Sequence, residues 1–186
     1  MVGNWFLARS YTRTSVLIKD INPNLILAVI NSEDAQFCNH QGVDWKSIRQ
    51  NITTPGGPRR GASTIPMQTA KNLYLWHGRS YLRKALEVPI AQLISLLWSK
   101  QRMLEIYLNI AEWGDGIFGA EAAARHYFKK SAANLTQKEA ALLATALPNP
   151  FRRNPKRPDI VHTKLANILL KRMQNAPHVA SCILPQ

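Results

Sequence analysis

Two adjacent carboxylates, Glu33 and Asp34, stand where a strongly apolar stretch of the sequence ends. Asn22 can cap a helix whose apolar face carries the chain into Glu33. Phe37 lies one turn beyond Glu33, and an apolar neighbour raises the pKa of a carboxyl group toward the range in which it acts as a general base. A solvated helix end is the alternative interpretation of the same residues.

A second polar cluster follows at residues 61–72, where a glycine leads into a predicted helix with Pro66 in its first turn. Thr64, Gln68 and Lys71 are spaced i, i+4 and i+7, so they share one face of that helix. A packed helix would normally place apolar side chains there. The polar stripe therefore strengthens the case for a functional site that includes Glu33.

The third cluster is basic and contains one carboxylate. Arg79, Arg83 and Lys84 precede Glu87 and the apolar run 88–94, and Arg83 and Glu87 stand one helical turn apart. Taken alone, such a pair is most often an exposed ion pair worth roughly 0.3–0.5 kcal/mol. Three such clusters in one chain favour a common site instead.

In order and spacing, the clusters resemble the motifs of the peptidoglycan glycosyltransferases, the family of the monofunctional biosynthetic transglycosylases and of one domain of the class A penicillin-binding proteins. The first motif, Glu-Asp-x-x-Phe-x-x-His-x-Gly-x-Asp, is complete. Met67 and Ser95 depart from the family pattern, which usually has glutamine and an acidic residue there. The resemblance covers residues 21–173. The five motifs fall at residues 33–44, 61–72, 83–87, 104–128 and 139–150.

This resemblance implies an enzyme that polymerises lipid II, the disaccharide-pentapeptide carried on undecaprenyl diphosphate. Glu33 would take the proton of the acceptor's 4-hydroxyl as that oxygen attacks C1 of the donor, which gives inversion and a β-1,4 linkage. Glu87 would be the second catalytic carboxylate, either as a ligand of a divalent cation, Mg²⁺ or Mn²⁺, or by orienting basic groups. The leaving diphosphate gathers negative charge and calls for cations and hydrogen-bond donors. The predicted substrate-binding residues are Asp34, Phe37, Ser63, Thr64, Gln68, Lys71, Asn72, Arg79, Arg83 and Lys84.

The sequence predicts helices throughout, with a capping box at Thr136 and Glu139 and no hairpin signal that would favour a β-rich fold. The resemblance implies an all-α (mainly α), lysozyme-like glycosyltransferase domain of two lobes, the smaller of which touches the bilayer. We expect a remnant N-terminal segment at 1–20, one glycosyltransferase domain at 21–175 and a C-terminal tail at 176–186. No Ser-x-x-Lys signature of a penicillin-binding domain is present.

A formal net charge of +13 predicts attraction to an anionic partner, and charge alone leaves nucleic acid and an acidic lipid surface open. The basic pairs 152–153 and 156–157 lie among prolines, as in a solvated loop or a membrane-facing one. The apolar stretch 86–98 is too short for a membrane span of about 20 residues and is interpreted as a core helix. Cys38 and Cys182 are too few to define a disulfide framework, although an oxidising periplasm could pair them.

The resemblance places the protein at the periplasmic face of the bacterial inner membrane, with the family's anchor helix absent from this chain. The implied partners are lipid II, the growing glycan strand, the membrane surface and other cell-wall synthesis proteins, with no nucleic acid. Three alternatives stay open: a lysozyme-like glycan hydrolase or lytic transglycosylase, a truncated or degenerate protein that binds lipid II without polymerising it, and a basic nucleic-acid-binding protein. A hydrolase expels a sugar and needs no cations around a diphosphate. A nucleic-acid-binding protein would still bind DNA after Glu33→Gln.

Overall fold

The structure, a computed structural model, describes residues 11–53, 63–76, 78 and 80–184. Within these ranges the chain is mainly α-helical, as predicted. The α-helices are α1 Pro23–Glu33, α2 Trp45–Thr53, α3 Ile65–Tyr74, α4 Tyr81–Leu97, α5 Lys100–Ile110, α6 Ala120–Phe128, α7 Gln137–Ala146 and α8 Ile160–Asn175. Short 3₁₀ helices span Ile18–Asp20, Ala132–Asn134 and Pro177–Ala180.

Side-chain caps fix where the helices begin. The Asn22 side chain accepts the Asn24 N–H at 2.9 Å, which starts α1. Thr136 and Glu139 form the predicted capping box at the start of α7. A cap of this kind contributes about 1 kcal/mol to helix stability. The start of each of these two helices is thus fixed by local contacts.

The helices pack in two groups. α1 packs against α7 and α8, whereas α3 packs against α4 and α5. Most of α1 is buried, including Leu25 and Ile30, which are fully buried. Glu33 is the last residue of this buried helix. It therefore lies at the boundary between the two groups of helices.

Three short strands complete the fold beside α5 and α6. They are β1 Thr12–Arg13, β2 Glu112–Gly114 and β3 Ile117–Phe118, in the order β1-β3-β2, with β1 parallel and β2 antiparallel to β3. The chain after β1 is held along α5 by Asn109, whose side chain both accepts the Val16 N–H and donates to the Val16 carbonyl, each at 2.9 Å. This small sheet does not make the fold β-rich.

The interpretation of residues 86–98 as a core helix holds for only one face of the helix. They belong mostly to α4, which buries Ala91 and Ile94 but leaves Leu93 and Leu97 exposed and Leu96 81% exposed. The apolar pattern did not distinguish a core-facing helix from one that presents leucines to its surroundings. In the part of the chain that the structure describes, none of the helices combines the length and apolar character that a membrane span requires.

A disulfide joins Cys38, in the turn after α1, to Cys182, beyond the last 3₁₀ helix, with the Cα atoms 5.6 Å apart. The sequence left this pairing open. Ala180, in that 3₁₀ helix, is fully buried, and the helix packs against α1. The disulfide therefore fastens residues 177–182 to the turn that follows Glu33.

Reduction of this disulfide should lower the free energy of unfolding by about 2–5 kcal/mol, since a link between residues 144 apart removes much of the unfolded chain's freedom. Denaturant unfolding with and without reductant measures the change. A Cys38→Ser/Cys182→Ser variant is the control, because reductant should leave its unfolding midpoint unchanged. Equal midpoints for the reduced and oxidised wild type would contradict the prediction.

Candidate active site

Glu33 is half-buried and its carboxylate is held by hydrogen bonds from two sides. The Gln68 side-chain amide donates to Glu33 Oε2 at 3.0 Å, and Ser32 Oγ donates to Oε1 at 3.3 Å. The buried Tyr107 hydroxyl donates to Gln68 Oε1 at 3.0 Å. Because Tyr107 fixes the amide oxygen, the amide nitrogen is aimed at Glu33, and the carboxylate has a defined orientation.

The environment of Glu33 suits a general base. Burial raises the pKa of its carboxyl group above the ordinary value, and the negative charge of Asp34 acts in the same direction. The hydrogen bonds from Gln68 and Ser32 and the charge of Arg153 lower the pKa but do not cancel the effect of burial. A carboxylate with a raised pKa accepts a proton more readily near neutral pH.

Asp34 ties the end of α1 to the start of α3. Its two oxygens each lie 2.9 Å from His40 Nε2, and Oδ2 also accepts the Ile65 N–H at 2.9 Å. Beside it, the buried Thr64 hydroxyl donates to the Gly42 carbonyl at 2.5 Å. Asp34 and Thr64, both predicted to bind substrate, also line the cleft described below. They therefore belong to the cleft wall and stabilise it through these hydrogen bonds.

The turn after Glu33 is fixed by contacts with α4 and α5. Gly42 has a φ of +83°, and a Cβ there would lie 2.6 Å from the Ala91 carbonyl oxygen, so only glycine fits where the turn crosses α4. Lys100 Nζ donates to the carbonyls of Phe37 and His40 and lies 4.7 Å from the centre of the Phe37 ring. Phe37, predicted to bind substrate, is fully buried, so its side chain supports this turn.

Glu87 is buried between two cations on its own helix. Its Oε1 pairs with Arg83 Nη1, and its Oε2 pairs with Lys84 Nζ at 2.8 Å. Lys84 Nζ also donates to Ser63 Oγ at 2.5 Å, which connects α4 to the segment before α3. Since only 2% of Glu87 is exposed, the alternative of an exposed surface pair is wrong. The carboxylate orients both cations.

The charges of both glutamates act on Lys71. Burial lowers the pKa of its ammonium group, the charges of Glu87 and Glu33 raise it, and those of Arg83 and Lys84 lower it. Lys71 and Gln68 both belong to α3, so one helix serves both carboxylates. The cluster Lys71, Arg83 and Lys84 is called the cation group below.

One further predicted residue lies apart from this arrangement. Asn72 lines a separate cavity of about 300 Å³ together with Arg13 and Glu112. Arg79 lies outside the described residues. The structure thus brings together six of the predicted residues, with Ser63 and Thr64 at the edge of this group. The six are Glu33, Gln68, Lys71, Arg83, Lys84 and Glu87.

A cleft of about 710 Å³ opens in front of Glu33. Its near wall contains Glu33, Asp34, Ser63 and Thr64, and Ser63 links it to the cation group through Lys84. The far wall comes from the end of α7, the turn that follows it and α8. The residues of that wall are Thr145, Pro148, Arg153, Leu165, Ile168, Leu169 and Arg172.

Sequence reasoning missed two residues of the site. Arg153 faces the cleft and donates from Nη1 to the Thr145 carbonyl at 2.6 Å, although the sequence grouped it with a basic loop. Its place just after the fifth motif was an available signal. Lys100 holds the turn after Glu33 from a distant helix, and no local pattern marked it.

The described residues do not form a ready site for a divalent cation. They contain no group of three or more His, Cys, Asp and Glu side chains that could hold a metal ion. Both oxygens of Glu87 already pair with Arg83 and Lys84. The Mg²⁺ or Mn²⁺ ion stays a prediction, and no step below passes through it.

Known proteins resemble this chain over most of its length. A family described as Transglycosylase matches residues 2–174. The biosynthetic peptidoglycan transglycosylase of Brucella suis biovar 1 (strain 1330) is 52% identical, over 98% of this chain and 83% of that protein. The protein of the same name from Agrobacterium fabrum (strain C58 / ATCC 33970) is 48% identical, over 99% of this chain and 82% of that protein.

A solved structure shows the same fold. Penicillin-binding protein 1A from Haemophilus influenzae superposes with a TM-score of 0.51 and 20% sequence identity, over 95% of this chain and 18% of that chain. At this identity the likeness speaks for the fold alone. It confirms the prediction of a mainly α, lysozyme-like glycosyltransferase fold.

Proposed function

Because the chain belongs to the transglycosylase family, we propose that it polymerises lipid II into β-1,4-linked glycan strands and releases undecaprenyl diphosphate. It is a peptidoglycan glycosyltransferase of bacterial cell-wall synthesis. The observation that carries the finer proposal is the meeting of an oriented carboxylate, Glu33, with a cation group linked to the same cleft through Ser63.

Glu33 is the proposed base. The acceptor's 4-hydroxyl donates its proton to the Glu33 carboxylate while its oxygen forms a bond to C1 of the donor sugar. The bond between C1 and the diphosphate oxygen breaks as the new bond forms, so the electron pair leaves with the lipid diphosphate. Attack from the side opposite the leaving group inverts C1 and gives the β linkage.

The cation group is proposed to receive the leaving diphosphate. Negative charge grows on the diphosphate as the C1–O bond breaks, and fixed cations stabilise that charge in the transition state. Glu87 keeps Arg83 and Lys84 in place before substrate arrives, so little reorganisation is needed during the reaction. This is a positioning role for Glu87, which the sequence analysis had given as one of two possibilities.

The membrane is the proposed setting, because lipid II is anchored in it. The exposed leucines of α4 form an apolar surface on the same helix as Glu87, suited to contact with a bilayer. We place the active enzyme at the periplasmic face of the inner membrane, and the Cys38–Cys182 disulfide supports an oxidising compartment. The growing strand and other cell-wall synthesis proteins remain its predicted partners.

A glycan hydrolase is disfavoured by the same geometry. Hydrolysis expels a sugar, so it would leave the pairing of buried Glu87 with Arg83 and Lys84 without a task. The names of the relatives likewise state biosynthesis.

The decisive assay incubates the purified chain with labelled lipid II in detergent and separates glycan polymer from monomer. We expect polymer and released undecaprenyl diphosphate, and no soluble fragments from cell-wall sacculi incubated in parallel. Fragments without polymer would indicate the hydrolase, and bound but unreacted lipid II would indicate a degenerate enzyme. A chelator added to a matched sample tests the predicted divalent cation.

The pH dependence of kcat/KM should report the environment of Glu33. The base works only when deprotonated, so kcat/KM falls as the pH drops through its raised pKa, above the ordinary value of about 4.3. Gln68→Met removes a hydrogen bond that stabilises the carboxylate, so the pKa rises further and this acidic limb moves to higher pH. Gln101→Met, on an exposed position of α5, should leave the limb in place. An unmoved limb in Gln68→Met would contradict the assignment of Glu33 as the titrating base.

A further inference from the structure

Large apolar side chains face solvent where the chain leaves α7 and enters α8. Phe151 is 66% exposed, Ile160 88% and Val161 65%. Single exposed apolar residues are ordinary, but several in one region mark an interaction surface.

Two hydrogen bonds to Thr145 bring these residues into one region. Arg153 Nη1 donates to the Thr145 carbonyl at 2.6 Å, and His162 Nε2 lies 3.1 Å from Thr145 Oγ1. Phe151 and Ile160 each lie two residues from one of these anchors. The turn and the first residues of α8 are therefore both held against the end of α7.

The same region is strongly basic. Residues 148–164 contain five Lys and Arg residues and one acidic residue, Asp159. The Asp159 carboxylate caps α8 by accepting the His162 N–H at 2.6 Å, whereas Arg152, Lys156 and Arg157 are exposed. Apolar tips surrounded by cations suit the boundary between anionic headgroups and acyl chains.

The surface also borders the cleft. Pro148 and Arg153 from the turn and Leu165 from α8 line the cleft that contains Glu33. A partner bound here would therefore sit at the rim of the active site. For an enzyme whose substrate is anchored in a bilayer, that partner is the bilayer itself.

We propose that one surface of the protein docks on the anionic lipid headgroups of the membrane. This surface, named here the proline-turn surface, consists of Phe151, Arg152, Lys156, Arg157, Ile160 and Val161. This contact is separate from the exposed leucines of α4, and its placement at the substrate membrane rests on the proposed function. A second contact in addition to the leucines of α4 fixes how the cleft faces the bilayer. The apolar tips enter the headgroup layer, and the cations pair with lipid phosphates.

Vesicle sedimentation of the purified full chain tests this surface. Vesicles contain either phosphatidylcholine alone or phosphatidylcholine mixed with phosphatidylglycerol. We expect binding to the anionic vesicles, and Arg152→Gln/Lys156→Gln/Arg157→Gln should weaken it about tenfold or more, since each cation near an anionic surface contributes to binding. Phe151→Ser/Ile160→Ser/Val161→Ser should weaken it as well.

The matched control is Lys19→Gln/Lys46→Gln/Lys138→Gln, which removes the same charge from exposed positions elsewhere. It should lose much less affinity than the proline-turn variants. Equal losses in the control and the charge variant would reduce the effect to net charge and overturn the proposal. The charge variant is also tested for binding to duplex DNA. If it loses DNA binding but keeps vesicle binding, the surface is assigned to nucleic acid and the proposal is overturned.

Lipid II polymerisation in detergent separates this proposal from the proposed function. The proline-turn variants should polymerise lipid II in detergent at the wild-type rate, because none of their residues belongs to the proposed catalytic or substrate-binding groups. Failure of the wild type to polymerise would count against the proposed function and leave the vesicle result to be judged by itself.

Discussion

Glu33→Gln is expected to reduce the rate of lipid II polymerisation by about 10²- to 10⁴-fold, the range that a positioned general base contributes. Glutamine keeps the size of the side chain but cannot take the proton of the attacking hydroxyl. The end of α1 is also held by Asp34 through His40 and Ile65, so the fold should remain intact. Polymer formation per unit time, measured beside lipid II binding, separates chemistry from affinity, and binding should change little.

Glu112→Gln is the matched control for this substitution. Glu112 is a half-buried carboxylate that lines the separate smaller cavity and accepts the Gly116 N–H at 3.2 Å. Its loss should not slow polymerisation appreciably. Retention of more than about a tenth of the wild-type rate by Glu33→Gln would remove Glu33 from the role of base, given the usual size of that contribution.

Lys71→Met should lower kcat/KM by about 10²- to 10³-fold, as loss of one preorganised donor to a developing anion does in other enzymes. Lys71 is half-buried, and the charges of both Glu33 and Glu87 act on the pKa of its ammonium group. Methionine fills similar space without the charge. Single-turnover measurements with labelled lipid II give the change.

Lys71→Arg tests whether charge is sufficient at this position. It should recover part of the activity lost in Lys71→Met, whereas Lys138→Met, at an exposed position of α7, should have no effect. A loss smaller than about threefold in Lys71→Met would be far below the contribution expected of a transition-state donor and would exclude Lys71 from that role.

The sequence was sufficient to predict the family and the mainly α fold, because motifs carry residue type and spacing together. The stripe on α3 is an example. Gln68 and Lys71 share a helix, and the structure places the first on Glu33 and the second in the field of Glu87. The spacing of the two residues on one helix was enough to predict that they share a face, from which one reaches Glu33 and the other responds to Glu87.

Long-range contacts could not be predicted in the same way. Lys100 reaches the carbonyls of Phe37 and His40 from α5, and nothing in the sequence near either end indicates the partner. The sequence grouped Arg153 with a basic run that is either solvated or membrane-facing, whereas its hydrogen bond to the Thr145 carbonyl turns it toward the cleft. The exposed face of α4 was misassigned because apolar periodicity shows that a face is apolar but does not show what covers it.

The disulfide between Cys38 and Cys182 also has a consequence for the order in which the enzyme is made. Cys38 is synthesised 144 residues before its partner, so its thiol stays unpaired until almost all of the described chain has been translated. The bond that fastens this turn to residues 177–182 therefore forms only after α7 and α8, which pack against α1, have been synthesised. A free thiol at Cys38 therefore marks molecules in which this bond has not formed, and the thiol content of a preparation reports their fraction.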